Sequence, residues 1–144
     1  MTYYPDLQPC DVLEVNAVGV GWLDTEHEFP VGPVDRDWFL VLVQHLSNAW
    51  QPFANAGLHR CPFCRFSHGP AALRFEGHEV ALGSSLLLVP GPSALYVAPS
   101  LVAHYIDAHS YQPPAEFRAA VAAAPKMRSI AYLKELRRFG VSPR

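Results

Sequence analysis

Two thiols with two residues between them, Cys61 and Cys64, and two imidazoles with four residues between them, His104 and His109, are the side chains of this 144-residue chain best suited to chemistry. Together they offer the four donors that a tetrahedral zinc ion takes, and a Cys-x-x-Cys turn can bring both sulfurs to one ion. Pro62 would pre-shape that turn. The histidine spacing asks more of the backbone. On an ideal helix, positions five apart point about 140° away from one another, so both rings reach one ion only if the helix loosens or ends at His109. The sequence Ser110-Tyr111-Gln112-Pro113-Pro114 supplies such an end. His59 and His68, two before and four after the thiols, are the competing ligands. Each ligand also has a plainer reading: a redox pair or simple burial for the thiols, a core histidine for His104, and a cap on the helix dipole for His109. His27, His45 and His78 are expected on turns or on a helix surface.

Other chemistries for the thiol pair fit less well. A thioredoxin-like pair should open a helix that lowers the first thiol's pKa, whereas Arg65-Phe66-Ser67-His68-Gly69-Pro70 is poor helix material. A zinc nucleobase deaminase needs His-x-Glu and Pro-Cys-x-x-Cys. Here His27-Glu28 and His78-Glu79 lack the spacer, and the proline lies inside the Cys pair. The metalloprotease pattern His-Glu-x-x-His is not met by His104-Tyr105-Ile106-Asp107-Ala108-His109. Four protein ligands also leave no open position for a catalytic water, which favours a structural ion.

The elements that must position these residues follow from periodicity. Tyr3-Tyr4-Pro5-Asp6-Leu7 reads as an N-terminal arm anchored by its aromatics, and Val12 to Leu23 as strand broken near Asn16 to Gly19. Trp22 is assigned to the core and Asp24 to a polar turn with Thr25. Asp35 can cap a helix from about Arg36 to Trp50, with Trp38, Leu42, Leu46 and Ala49 on its apolar stripe. The loop Gln51 to Gly57 then delivers the thiols. Leu73–Phe75 and Val80–Leu82 flank a tight turn at Glu76-Gly77-His78; Ser85–Val89 and Ala94–Ala98 flank Pro90-Gly91-Pro92. A helix opening at Pro99 or Ser100 carries both histidines, with Leu101, Val102, Tyr105 and Ile106 facing inward. Pro113-Pro114 starts another over 115–124, and Pro125 a last one over 126–139, with Met127, Ile130, Leu133 and Leu136 facing inward and an exit at Gly140. The fold class expected is α+β: one domain, 1–144, with a small antiparallel sheet, about four helices and a zinc-stapled loop.

Half the residues are apolar, enough for one core. The formal charge of −2 calls for neither nucleic acid nor an anionic membrane, but it is unevenly spread. From Ala115 onward seven basic residues face two acidic ones, a net of +5 that leaves −7 on the preceding part. No apolar run approaches the roughly 20 residues of a membrane span, and Met1-Thr2-Tyr3-Tyr4-Pro5-Asp6 lacks signal-peptide character, so a cytoplasmic location is expected. Three cysteines do not make a disulfide framework. Cys10 is left as a small, partly buried apolar residue.

Gly21-Trp22-Leu23-Asp24 with His27, Phe29 and Gly32, then Gly57-x-His59-x-Cys61-x-x-Cys64, then Ala98-Pro99 and His104-Tyr105-x-x-x-His109-x-Tyr111-x-Pro113-Pro114-x-Glu116-Phe117, resemble a bacterial family of small uncharacterised proteins. The resemblance runs from the N-terminal arm to about Val121. It implies that Trp22, Asp24, His59, Cys61, Cys64, His104, His109, Tyr111 and Pro114 form one recurring constellation, with His59 a ligand or a neighbour of one. It carries no activity. The function expected is a zinc-stabilised binding or regulatory module with a protein partner, a class that includes immunity-type antagonists. The alternative is nucleic-acid binding through Arg60, Phe63, Arg65 and Phe66, with Arg118, Lys126, Arg128, Arg137 and Arg138. A third reading is a metal-dependent hydrolase using Asp24, His27 and a metal-bound water, which would require one of the four ligands to be wrong.

Overall fold

A computed structural model describes residues 3–50, 59–64 and 69–142. Its centre is a hairpin of two strands whose residues are all buried, β5 (Leu86–Pro90) and β6 (Leu95–Pro99), in antiparallel register from Leu86↔Pro99 to Pro90↔Leu95. An unbroken apolar run such as Leu-Leu-Leu-Val, without alternation, is what a strand covered on both faces requires. Gly91 makes the turn: a Cβ there would lie 2.7 Å from the Tyr96 ring. On the other side of β6 lies β2 (Ala17–Gly19), parallel to it, and β1 (Pro9–Cys10) pairs antiparallel with β2, giving the order β1-β2-β6-β5.

The expected break in the first strand region is displaced. It falls at Val12–Val15, and Ala17–Gly19, placed near a turn by the glycine pattern, is strand. Pairing with buried β6 outweighs the weak local preference. Trp22 is core as expected, 3 % exposed, its indole N–H donating to Val97 O at 2.9 Å. Asp6 ties down the arm by accepting from Gly21 N at 3.0 Å and from the Tyr111 hydroxyl at 2.7 Å.

A second, two-stranded sheet comprises β3 (Ala72–Phe75) and β4 (His78–Ala81). Its turn is Glu76-Gly77 alone, with φ of 50° and 80°, the left-handed pair a two-residue hairpin needs. His78 is therefore the first residue of β4, opposite Phe75, rather than part of the turn.

Helix α1 (Arg36–Leu46) starts where expected, the Asp35 carboxylate accepting from Trp38 N at 3.0 Å. It stops at Ser47, short of Trp50, and the Arg128 guanidinium donates to the carbonyls of Asn48 and Ala49 just beyond it at 3.2 and 2.9 Å. His45, expected on a surface, is 8 % exposed and bonded through Nε2 to Val121 O at 3.1 Å, since α1 packs against α3 (Ala115–Ala123). Helix α2 (Val102–His109) opens after Ser100, whose hydroxyl accepts from Gly83 N at 2.8 Å while Pro99 completes β6.

Helix α4 (Ile130–Arg137) begins later than Pro125 suggests, because Ser129 is the cap, accepting from Tyr132 N at 3.1 Å. This turns Ile130 outward, 75 % exposed, against the expectation that it faces the core. Tyr132 is buried instead, and its hydroxyl donates to Leu88 O at 2.6 Å. That bond satisfies one carbonyl of β5. Among the described residues no helix is long and apolar enough to cross a membrane.

Candidate metal centre

The turn Cys61-Pro62-Phe63-Cys64 is folded so that the backbone N–H groups of Phe63 and Cys64 hydrogen-bond to the Cys61 sulfur. Opposite it stands α2, with His104 in its first turns and His109 as its last residue. Ser110 follows at φ 57°, the left-handed conformation that ends a helix. That ending lets two histidines five positions apart converge: their rings lie 5.1 Å apart, nearly perpendicular at 87°. The Cys61 sulfur is 3.4 Å from His109 Nε2, and the Cys64 sulfur is 3.3 Å from His104 Nε2 and 3.6 Å from His109 Nε2. One donor atom from each of the four residues lies within 4.8 Å of the others, a group that could hold a metal ion.

The surroundings suit such an ion. Cys61 is 1 % and His104 4 % exposed, while Cys64 and His109 are half-buried. Burial pushes the Cys61 thiol up to about 11, with the neighbouring Cys64 adding to the rise and the two backbone N–H bonds opposing it. Burial, and secondarily the charge of His109, holds His104 below its ordinary 6.5. A neutral imidazole keeps its lone pair for a metal, whereas the thiols must surrender protons as the metal enters. Phe63 closes one side, packed against Phe29, Tyr105 and His109 at centroid distances of 5.3, 5.8 and 5.2 Å.

Residues 2–122 match the family described as a domain of unknown function, DUF7919. The chain belongs to this family. No curated protein and no solved structure matches it. The DUF7919 segment contains all four donors and both sheets, while α4 lies beyond it.

The other candidate residues of this DUF7919 chain fall elsewhere. His59 is outside the four-donor group, edge-on to Trp22 at 6.3 Å, with its backbone N–H on Gly83 O at 2.8 Å. His68, the other competing ligand, lies outside the described residues, as do Arg65 and Phe66. Asp24 and His27 form their own exposed pair, Oδ1 to Nδ1 at 2.8 Å, with Tyr3 stacked on the imidazole at 3.8 Å. The Asp24 carboxyl is held below its usual range: desolvation, the largest single influence, pushes it up but is outweighed by hydrogen bonds from the His27 ring and the Glu26 and His27 amides together with the His27 charge.

Two neighbours of the donor group were not evident from residue types. Gly69 has φ +90°, and a Cβ there would lie 3.0 Å from Cys61 Cβ and 3.6 Å from His104 Nε2. The glycine-proline step at Gly69-Pro70 was the available signal. Tyr105 is fully buried, its hydroxyl without a hydrogen-bond partner among the described residues. Its pKa is raised first by burial and then by the charges of Cys61 and Cys64.

Proposed function

We propose that the protein is a binding module whose fold is held by one structural zinc ion on Cys61, Cys64, His104 and His109, and that its task is recognition of a protein partner rather than catalysis. The observation that carries this reading is the spacing of the donors. For Zn–S near 2.3 Å and Zn–N near 2.05 Å, a regular tetrahedron places sulfur and nitrogen about 3.6 Å apart, and the three S···N separations are 3.4, 3.3 and 3.6 Å. A Cys₂His₂ set also matches the softness zinc selects. Two donors come from the turn after α1 and two from α2, so the ion would tie one to the other.

Four protein donors fill a tetrahedral ion, which speaks against hydrolysis at the metal. The Asp24–His27 pair does not belong to the donor group and is occupied with its own turn. Nucleic-acid binding is the weaker alternative. Phe63 is packed among aromatics rather than offered to a base. Arg118 bonds Pro113 O, Arg128 bonds the carbonyls of Asn48 and Ala49, and Arg138 is paired with Glu135.

Elemental analysis and cobalt substitution test the reading. The expected result is one zinc per chain, and a cobalt-substituted spectrum with tetrahedral intensity and sulfur charge-transfer bands that does not change when azide is added. A spectrum that shifts with azide would reveal an open position and return the site to the enzyme class. Absence of metal from carefully prepared native protein would sink the reading.

A further inference from the structure

Away from the metal centre, a cleft of about 610 Å³ opens between the β5–β6 turn, α3 and α4, within the roughly 300–1,000 Å³ of small-ligand sites. Its walls are largely apolar, including Pro92 and the helix face carrying Ala119. Against that background Tyr96 is 5 % exposed, lines the cleft, and has a hydroxyl without a hydrogen-bond partner among the described residues. Burial and the charge of Glu116 hold its proton on.

The charges lining the cleft are unequal. The Arg138 guanidinium is committed to Glu135 at 2.7 Å and to Gly91 O at 3.0 Å. Glu116, in the first turn of α3, has no ion-pair partner among the described residues. The net charge at the rim is therefore negative. An anion would be repelled, and a purely apolar occupant would strip water from the Tyr96 hydroxyl and the Glu116 carboxylate without replacing its hydrogen bonds.

We infer that this cleft is a binding site for a primary ammonium group on a short apolar stem, with Glu116 pairing the charge, the Tyr96 hydroxyl accepting an N–H, and the alanine and proline walls covering the stem. The same chemistry is presented by a free alkylamine and by a lysine side chain of a peptide.

The experiment is a ¹H–¹⁵N NMR titration of the metal-loaded full chain with n-butylammonium, with N-acetyl-lysine-N-methylamide and, as the isosteric anion, with butyrate. Saturable shifts at Gly91, Tyr96 and Ala119 are expected with an amine in the millimolar range and not with butyrate. Tighter binding of the lysine compound assigns a peptide as the source, and equal or tighter binding of butylammonium a free amine. Glu116→Gln, an exposed change, should leave the melting temperature unaltered and weaken binding about threefold to fivefold, the range of a partly exposed ion pair. Ala119→Leu, also exposed, should fill the cleft and abolish binding. Failure of both amines to saturate at tens of millimolar overturns the inference, as does butyrate moving the same amides equally or Glu116→Gln leaving the affinity unchanged.

Discussion

Stripping the metal should lower the melting temperature by more than ten degrees, and the size follows from chain connectivity. Cys64 and His109 are 45 positions apart in sequence. A cross-link closing a loop of that length removes unfolded-chain freedom worth about 4 kcal/mol at 25 °C. Unfolding all 144 residues together carries an entropy near 0.3 kcal/mol per degree, so the tether alone corresponds to about 13 °C. This is a floor, because structural zinc in small domains contributes apparent binding energy of about 10 kcal/mol or more, reduced by whatever affinity the unfolded Cys pair retains. The assay is thermal unfolding by circular dichroism before and after exhaustive chelation, with metal content measured on both samples. Metal-bound and metal-free chains melting within about 3 °C of one another, a difference under about 1 kcal/mol, would refute the tether argument.

Four further expectations rest on individual residues. His104→Ala should lose the metal and unfold earlier, whereas His59→Ala should retain one equivalent, because His59 stands outside the donor group; elemental analysis separates the two. Gly69→Ala, with φ +90° and a Cβ pressed to 3.0 Å from Cys61 Cβ, should cost on the order of 1–3 kcal/mol and weaken metal affinity in a chelator competition. Tyr105→Phe removes a buried hydroxyl that has no partner among the described residues and should be neutral or stabilising by about 1 kcal/mol in thermal melts. Burial lowers the pKa of His45 from 6.5, opposed by its bond to Val121 O. The unfolded chain therefore binds that proton more tightly: the stability is fully present above pH 6.5 and falls as pH drops through the lowered folded value. His45→Leu should flatten that fall in acid titrations followed by denaturant unfolding.

The elements that sequence reading placed well are those whose local and tertiary demands agree. Asp35 caps α1, a turn opening at Gly91 and Pro92 joins two fully buried strands with Pro90 as the last residue of the first, and α2 ends at His109 because Ser110 and the prolines leave it nowhere to go. Two of the errors fall where a distant partner decided the outcome, and a third where a neighbouring cap did. Ala17–Gly19 is strand because β6 offers it a parallel ladder. Beyond the end of α1 at Leu46, where more helix was expected, Arg128, some eighty positions on, takes the carbonyls of Asn48 and Ala49. Ile130 points outward because Ser129 rather than Pro125 sets the phase of α4. Neither β6 nor Arg128 is visible within a local window; Ser129 is, but it competes there with Pro125 as the start of the helix.

The donor group was legible for a different reason. Thiols and imidazoles are few, and a tetrahedral ion restricts their spacing regardless of the fold around them, so residue types alone narrow the choice to a handful. The supporting residues have no such signature. A glycine at 69, a tyrosine at 105 and an aspartate at 6 are ordinary in sequence, and they matter because of where the chain brings them: against Cys61, beside the two sulfurs, and under the Tyr111 hydroxyl. The same holds for the ammonium cleft. Tyr96 and Glu116 belong to the DUF7919 segment, whereas Glu135 and Arg138 come from the helix beyond it. Only when α4 packs on β5 is Arg138 drawn to Glu135 and Gly91, leaving Glu116 as the uncompensated charge. The preference for a cation is therefore a property of the assembled fold and not of any one segment of the chain.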